Sequence, residues 1–487
     1  MHIVFAASEC VPFAKTGGLA DVVGALPAAL AKLGHRVTVY LPLYKSARGF
    51  LPADLTFAVR SITIPFPQYN RYAGIVDGGL RDGVQHYFVD CPELFDREGI
   101  YGPKTGAGDY GDNAERFGLF CRAVLEASKI LGVPEIFHVH DWHAAILPIY
   151  LRTLYEFDPV LRFAATVLTI HNAGYQGWFP PSTIPQLLLP WDLFAPDKAG
   201  QNNTFNWLKG GICYASYLTT VSPNYAEEIQ TPEYGFGLDS ELRRRGGDLR
   251  GILNGVDYAE WNPATDPKLA AHYAPERLEG KIECRRDLLH AFGLSGVPES
   301  TPVLAVVSRF ATQKGLDLIE QIAEPLLQRD VALVAQGSGE PIYENYFRTL
   351  AAKYPTRVAA QIKFDDAFAH KVEAGADLHL IPSRYEPGGL SAMYALKYGD
   401  IPIVRATGGL TDTVEEWNPA TGTGTGFQFS GLNPQEFLAA IDRALAAFQH
   451  KEGWQQLMQN GMAKNFSWEH PAREYVEIYE EVLRRRG

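Results

Sequence analysis

The chain opens with His2-Ile3-Val4-Phe5-Ala6-Ala7, a short apolar run that reads as a buried strand. A loop containing Gly17-Gly18 follows. Leu19, Val22, Val23, Leu26, Leu30 and Leu33 then recur at helical spacing, so a helix is expected up to Gly34, which suits a left-handed cap. Val37-Thr38-Val39-Tyr40-Leu41 reads as the next strand and completes a βαβ unit. Strands are expected again at 136–140 and 166–170, with a helix over 114–131. After Gly251-Ile252-Leu253-Asn254-Gly255-Val256-Asp257 the alternation restarts, with strands at 303–308, 332–336, 378–382 and 401–404 and helices at 316–327 and 343–353. Alternation of this kind predicts an α/β chain of two Rossmann-like, doubly wound parallel-sheet halves hinged near residues 251–260. The halves share an echo: Thr16-Gly17-Gly18-Leu19-Ala20-Asp21 and Thr407-Gly408-Gly409-Leu410-Thr411-Asp412 place a glycine-rich helix entrance in each.

Length agrees with the pattern, because 487 residues exceed what one hydrophobic core supports. Hydrophobic residues at 46% and charged residues at 21% are ordinary globular values and leave no disordered class to consider. The net charge of -12, with arginine runs only at 243–245 and 484–486, argues against nucleic acid or a membrane surface as partner and favours a neutral one. Five scattered cysteines without a CxxC pair suggest neither a disulfide framework nor a zinc ribbon. The first residues read directly as a strand rather than a targeting segment, and no apolar run approaches the roughly 18 residues of a membrane span, so a cytoplasmic enzyme is expected.

In open α/β sheets ligands bind beyond the carboxyl ends of the strands, and the candidate residues follow strands repeatedly. Lys15-Thr16-Gly17-Gly18 stands at a helix entrance, where glycine amides and a lysine suit an anion as well as a plain tight turn. Arg309 and Lys314 follow the 303–308 strand; two cations there suit a diphosphate leaving group, or are solvated surface charges. Arg384-Tyr385-Glu386-Pro387-Gly388-Gly389-Leu390 opens a helix, and Glu386 could face a cationic sugar or merely complement the helix dipole. His138-Val139-His140-Asp141-Trp142-His143 gathers metal-ligand residue types in a spacing that fits no common zinc pattern, and core histidines or a sugar contact suit it better. His171-Asn172 ends another strand, where imidazole and amide can bond sugar hydroxyls. Trp142, Trp178, Tyr101 and Tyr175 could stack on pyranose rings or pack internally.

Together these segments resemble the bacterial glycogen synthase and plant starch synthase family. The resemblance runs nearly end to end: Lys15 to Val22 (KTGGLADV), His140 to His143 (HDWH), Ile170 to Asn172 with Tyr175-Gln176-Gly177, Gly251 to Asp257, Ser308-Arg309 with Gln313-Lys314-Gly315, Glu386 to Leu390 and Thr407 to Val414. It implies a GT-B fold, two Rossmann-like domains facing across a cleft, with domains at 1–255 and 256–465 and a last helix at 466–487 crossing back to the first. It implies a retaining hexosyltransferase moving glucose from ADP-glucose to an α-1,4-glucan, with no cofactor and no metal. His171, Glu386, Arg309 and Lys314 would carry catalysis. Lys15, Gly17, Gly18, Asp21, Asp141, Asn172, Asn254, Gly389, Leu390 and Ser391 would bind the donor, and Tyr101 and Trp142 the acceptor. One departure stands out: where the family usually reads EPCGLxQ, this chain has Gly388 and Ala392 in place of the cysteine and the glutamine. The alternatives are a related GT-B enzyme using UDP-glucose or another acceptor, a metallohydrolase built on the histidine cluster, and a glucan-binding protein with impaired catalysis.

Overall fold

Strands buried on both faces read as continuous apolar runs, and that is how the parallel core of each half is written. The computed structural model describes residues 1–103, 108–363 and 365–486. The chain divides into two compact units, residues 1–255 with 468–487 and residues 256–467.

The sheet of the first unit, nine-stranded among the described residues, runs in the order Leu249–Gly251, Tyr217–Thr220, Ala165–Ile170, Ile136–His140, His2–Ala6, Arg36–Pro42, Val84–Asp90, Asn70–Arg81, Phe57–Pro65. Pairing is parallel as far as Val84–Asp90 and antiparallel beyond it. The helix Gly18–Lys32 buries Leu19, Val22, Val23, Leu26 and Leu30, and Gly34 (φ 89°) follows its end in the left-handed region. The last helix, Glu469–Arg484, belongs to this unit and buries Ala472, Tyr475, Ile478, Tyr479 and Val482 at i, i+3, i+4 spacing. Burying an aliphatic or aromatic chain of this size contributes on the order of 2 kcal/mol. Tyr479 also reaches through the sheet face to His138, its hydroxyl 2.7 Å from Nδ1.

The second unit has a parallel sheet, six-stranded among the described residues, in the order Val358–Gln361, Ala332–Gln336, Val303–Val307, Leu378–Ile381, Ile401–Arg405, Phe427–Phe429. Numbered along the chain this is 3-2-1-4-5-6, the doubly wound order whose direction reverses between Val303–Val307 and Leu378–Ile381. Among the described residues, no helix is long and apolar enough to cross a membrane.

Beneath the Leu378–Ile381 strand, the imidazole of His379 lies 3.2 Å from Glu373 and 3.1 Å from Asp400, all three buried. Burial acts to strip its proton, but the two carboxylates outweigh that and push His379 up to about 10. A folded pKa above the unfolded value near 6.5 stabilises the protein fully below pH 6.5 and is lost as pH rises through about 10. Urea unfolding at pH 7 and at pH 10.5 is therefore expected to show a loss on the order of a few kcal/mol that a His379→Gln variant does not share. Equal pH dependence in both proteins would rule out the protonated imidazole as its source.

Candidate active site

The reversal of strand order in the second unit opens a crevice at the carboxyl ends of its two central strands, and the charged candidates stand there. Val303–Val307 leads into Arg309 and Lys314, and Leu378–Ile381 leads into Ser383 and Glu386. The Lys314 ammonium lies 2.6 Å from Glu386 Oε2, and the Ser383 hydroxyl donates to the same oxygen at 2.8 Å. Glu386 is buried, with 8% of its surface exposed, so its carboxylate is held rather than solvated. Arg309 reaches Gln313 at 3.5 Å.

Glycines let these loops close on one another. Gly315 has φ 67°, and a Cβ there would stand 1.9 Å from the Pro382 carbonyl oxygen. Gly408 has φ 47°, and a Cβ there would stand 2.1 Å from the carbonyl oxygen of Glu386, to which Gly409 N–H donates at 2.9 Å. The Thr407-Gly408-Gly409 echo thus serves as a backbone support pressed against the Glu386 turn. Gly389 (φ 67°) caps the helix Leu390–Tyr398, which begins with Leu390 and Ser391. Arg405 donates to the carbonyl of Ser383 at 2.8 Å and to that of Ser430 at 3.2 Å, pinning the same turn from behind.

In the first unit the order of strands reverses between His2–Ala6 and Ile136–His140. Beyond the first lies Glu9, a residue the motif reading passed over. Its buried carboxylate accepts from Thr16 N–H at 2.5 Å, from the Thr16 hydroxyl at 2.6 Å and from Gly17 N–H at 3.1 Å. The Thr16 and Gly17 amides thus meet an internal carboxylate in this conformation, which lies a few residues back on the same strand exit. Lys15 pairs with Asp21 at 2.7 Å, and Gly18 opens the helix.

Beyond Ile136–His140, Asp141 takes a left-handed backbone (φ 52°) and its Oδ1 accepts from the amides of His171 at 2.7 Å and Asn172 at 3.4 Å. Burial pushes Asp141 up to about 7, with the two amides partly offsetting it. His171, at the end of Ala165–Ile170, is pushed down to about 3 by burial, so it is neutral at physiological pH. Its Nε2 lies 3.0 Å from His140 Nδ1. The Asn172 amide oxygen accepts from Gly174 N–H at 2.9 Å, whereas the buried Asn254 Oδ1 has no hydrogen-bond partner among the described residues.

Of the histidines in this segment, His138 has both ring nitrogens engaged by protein groups, Nε2 to Thr169 at 2.6 Å and Nδ1 to Tyr479. Two of the four candidate stacking aromatics have internal partners. Trp142 is buried among Phe117, Phe179 and Trp207, and Tyr101 stacks on His143 with centroids 4.3 Å apart while its hydroxyl donates to Glu9. Of the two readings open for these rings, internal packing describes Trp142 in this conformation, while Tyr101 keeps part of its surface exposed. Tyr175, in the loop after Ala165–Ile170, and Trp178, in the short strand Trp178–Phe179, are about half exposed.

Known proteins with this arrangement are clear. A model of the starch synthase catalytic domain matches residues 2–244, and one of glycosyl transferases group 1 matches residues 292–456. The glycogen synthase of Koribacter versatilis is 55% identical over 483 residues, covering 99% of this chain and 98% of that one. The glycogen synthase of Syntrophotalea carbinolica is 45% identical over 494 residues, covering 99% of each. The chain belongs to the glycogen and starch synthase family. Among solved structures, the catalytic domain of starch synthase IV from Arabidopsis thaliana, bound to ADP and acarbose, has a TM-score of 0.91 at 33% identity over 99% of each chain. The fold is accordingly the two-domain GT-B fold, and the chain is a glycosyltransferase of the hexosyl-transferring kind.

The synthase family's missing glutamine has a local consequence. Ala392, which stands in its place, is fully buried in an apolar cluster with Ile381, Val404, Leu410 and Val414. The corner behind Glu386 is therefore packed with hydrocarbon.

Proposed function

We propose that the chain is a glycogen synthase of the cytoplasm that transfers glucose, with retention, from ADP-glucose to the non-reducing 4-hydroxyl end of an α-1,4-glucan. The observation that carries the reading is the crevice of the second unit, where an ammonium and a buried carboxylate are held 2.6 Å apart at the reversal point of a doubly wound sheet. Arg309 and Lys314 supply positive charge for the departing diphosphate, and Glu386 supplies negative charge for a sugar ring that becomes oxocarbenium-like. Lys15, Gly17, Gly18, Asp21, Asp141, Asn172, Asn254, Gly389, Leu390 and Ser391 are assigned to donor binding, and His171 to the transferred sugar.

Glu386 is ion-paired with Lys314, which favours an electrostatic role for it over that of a nucleophile. Front-face attack balances without one. The bond from the anomeric carbon to the diphosphate oxygen breaks, the acceptor 4-oxygen bonds to the same face, and its proton passes to the departing phosphate. The preference for ADP-glucose is supported by the end-to-end likeness to glycogen synthases and by the likeness to a starch synthase bound to ADP.

With glycogen as acceptor, ADP-glucose is expected to give a higher kcat/KM than UDP-glucose in a coupled release assay. A higher value for UDP-glucose would overturn the donor assignment, and glycogen binding without turnover of either donor would favour the impaired binder.

A further inference from the structure

We infer that His140 is a positioning residue that fixes the proton of His171 on Nδ1, so that His171 meets the sugar as a hydrogen-bond donor. The inference rests on the assignment of His171 to the transferred sugar. His140 ends the Ile136–His140 strand and is fully buried, its ring stacked on Phe5 at 5.3 Å and lying 4.3 Å from the ring of His138. Its Nδ1 lies 3.0 Å from His171 Nε2. Its Nε2 is buried and has no hydrogen-bond partner among the described residues.

A contact between two neutral imidazole nitrogens needs one N–H and one lone pair, so the bond runs in one of two directions. If His171 donated from Nε2, the proton of His140 would sit on its own Nε2, a buried N–H with nothing to receive it. In the opposite direction His140 donates from Nδ1, and only a bare lone pair is left unpartnered. Buried donors without partners are rarer than under-satisfied acceptors, which selects the second direction.

The choice then propagates. Because His171 Nε2 accepts, the proton of His171 must lie on Nδ1, which hydrogen-bonds no other group among the described residues. The ring is fixed at its backbone as well, where His171 N–H donates to Asp141 at 2.7 Å. His138 cannot disturb the pair, because Thr169 and Tyr479 engage its two nitrogens. Burial also keeps His140 and His171 well below the usual histidine range, so neither ring is an imidazolium with two protons.

The test is direct. In full-length protein labelled with 15N-histidine, long-range proton–nitrogen correlation is expected to show His171 as the Nδ1–H tautomer, assigned by the signals lost in His171→Asn and His140→Leu. An Nε2–H tautomer of His171 would overturn the inference whatever the activity. In transfer assays, His140→Leu, which removes the donor, is expected to lower kcat about tenfold with little change in the KM for ADP-glucose. His140→Asn, whose amide places an N–H near the former Nδ1, is expected to lose no more than about threefold. Equal losses in Leu and Asn variants of wild-type thermal stability would also overturn it. Failure of the functional reading is distinguishable, because a wild-type protein without transferase activity would leave the tautomer measurement standing.

Discussion

Replacing Glu386 by Gln is expected to lower kcat by at least about a hundredfold while leaving the KM for ADP-glucose little changed. Both hydrogen bonds to this side chain, from Lys314 and from Ser383, end on Oε2. A glutamine can keep both on its carbonyl oxygen. Its amide then replaces Oε1, which accepts none of the hydrogen bonds found for Glu386 among the described residues, and the change falls on the atom available to a developing cation. Were Glu386 only an answer to the dipole of the Leu390–Tyr398 helix, the substitution would cost about a kcal/mol of stability and spare turnover. Steady-state kinetics with the thermal midpoint measured alongside separate the two. Restoring the family's cysteine by Gly388→Cys is the gentler companion, because Gln at position 392 would drive an amide into the cluster of Ile381, Val404, Leu410 and Val414.

Lys314→Ala is expected to lower kcat by roughly a hundredfold or more, the loss typical when one preorganised charge donor is removed from a transition state. Lys314 has 18% of its side chain exposed and is anchored by Glu386, so it costs little reorganisation to meet a departing phosphate. Its removal differs from that of Glu386 in one respect. It leaves a buried carboxylate without its cation, so a fall in stability should accompany the fall in rate. Single-turnover rates give the chemical step, and unchanged rates would return Lys314 to the solvated surface cations.

The parallel cores were legible in the chain because their strands are buried on both faces. Residues 332–336 and the helix over 316–327 fall where the apolar periodicity puts them. The antiparallel strands Phe57–Pro65 and Asn70–Arg81 were not, since exposed and polar positions interrupt them, register shifts break their alternation, and Gly78 and Gly79 weaken the strand signal. Site residues that follow strands directly, such as Arg309, His171 and Glu386, could be found from that position. Glu9 also follows a strand, and that placement was its one available signal; its partners are backbone amides, which leave no mark in side-chain spacing. Trp142 could not be decided from sequence for the opposite reason: an aromatic beside a histidine motif suits a platform or a core equally, and only the fold shows Phe117, Phe179 and Trp207 around it.

The second unit is an insertion in the first, entered at Val256 and left at Ser467, and these two ends are tied together where Val256 N–H donates to the carbonyl of Phe466 at 2.6 Å. During synthesis this reverses the usual order, in which the amino-terminal domain completes first. The residues of the second unit emerge as one uninterrupted stretch and can close on themselves while the first is still incomplete. Until residues 468–486 have been made, the surface that Tyr475, Ile478 and Tyr479 will cover, including His138, stays open in the nascent chain. A ribosome stalled anywhere in the second unit therefore displays an unfinished first one, and chaperones that recognise exposed apolar surface have their longest opportunity on the half of the protein that is translated earliest.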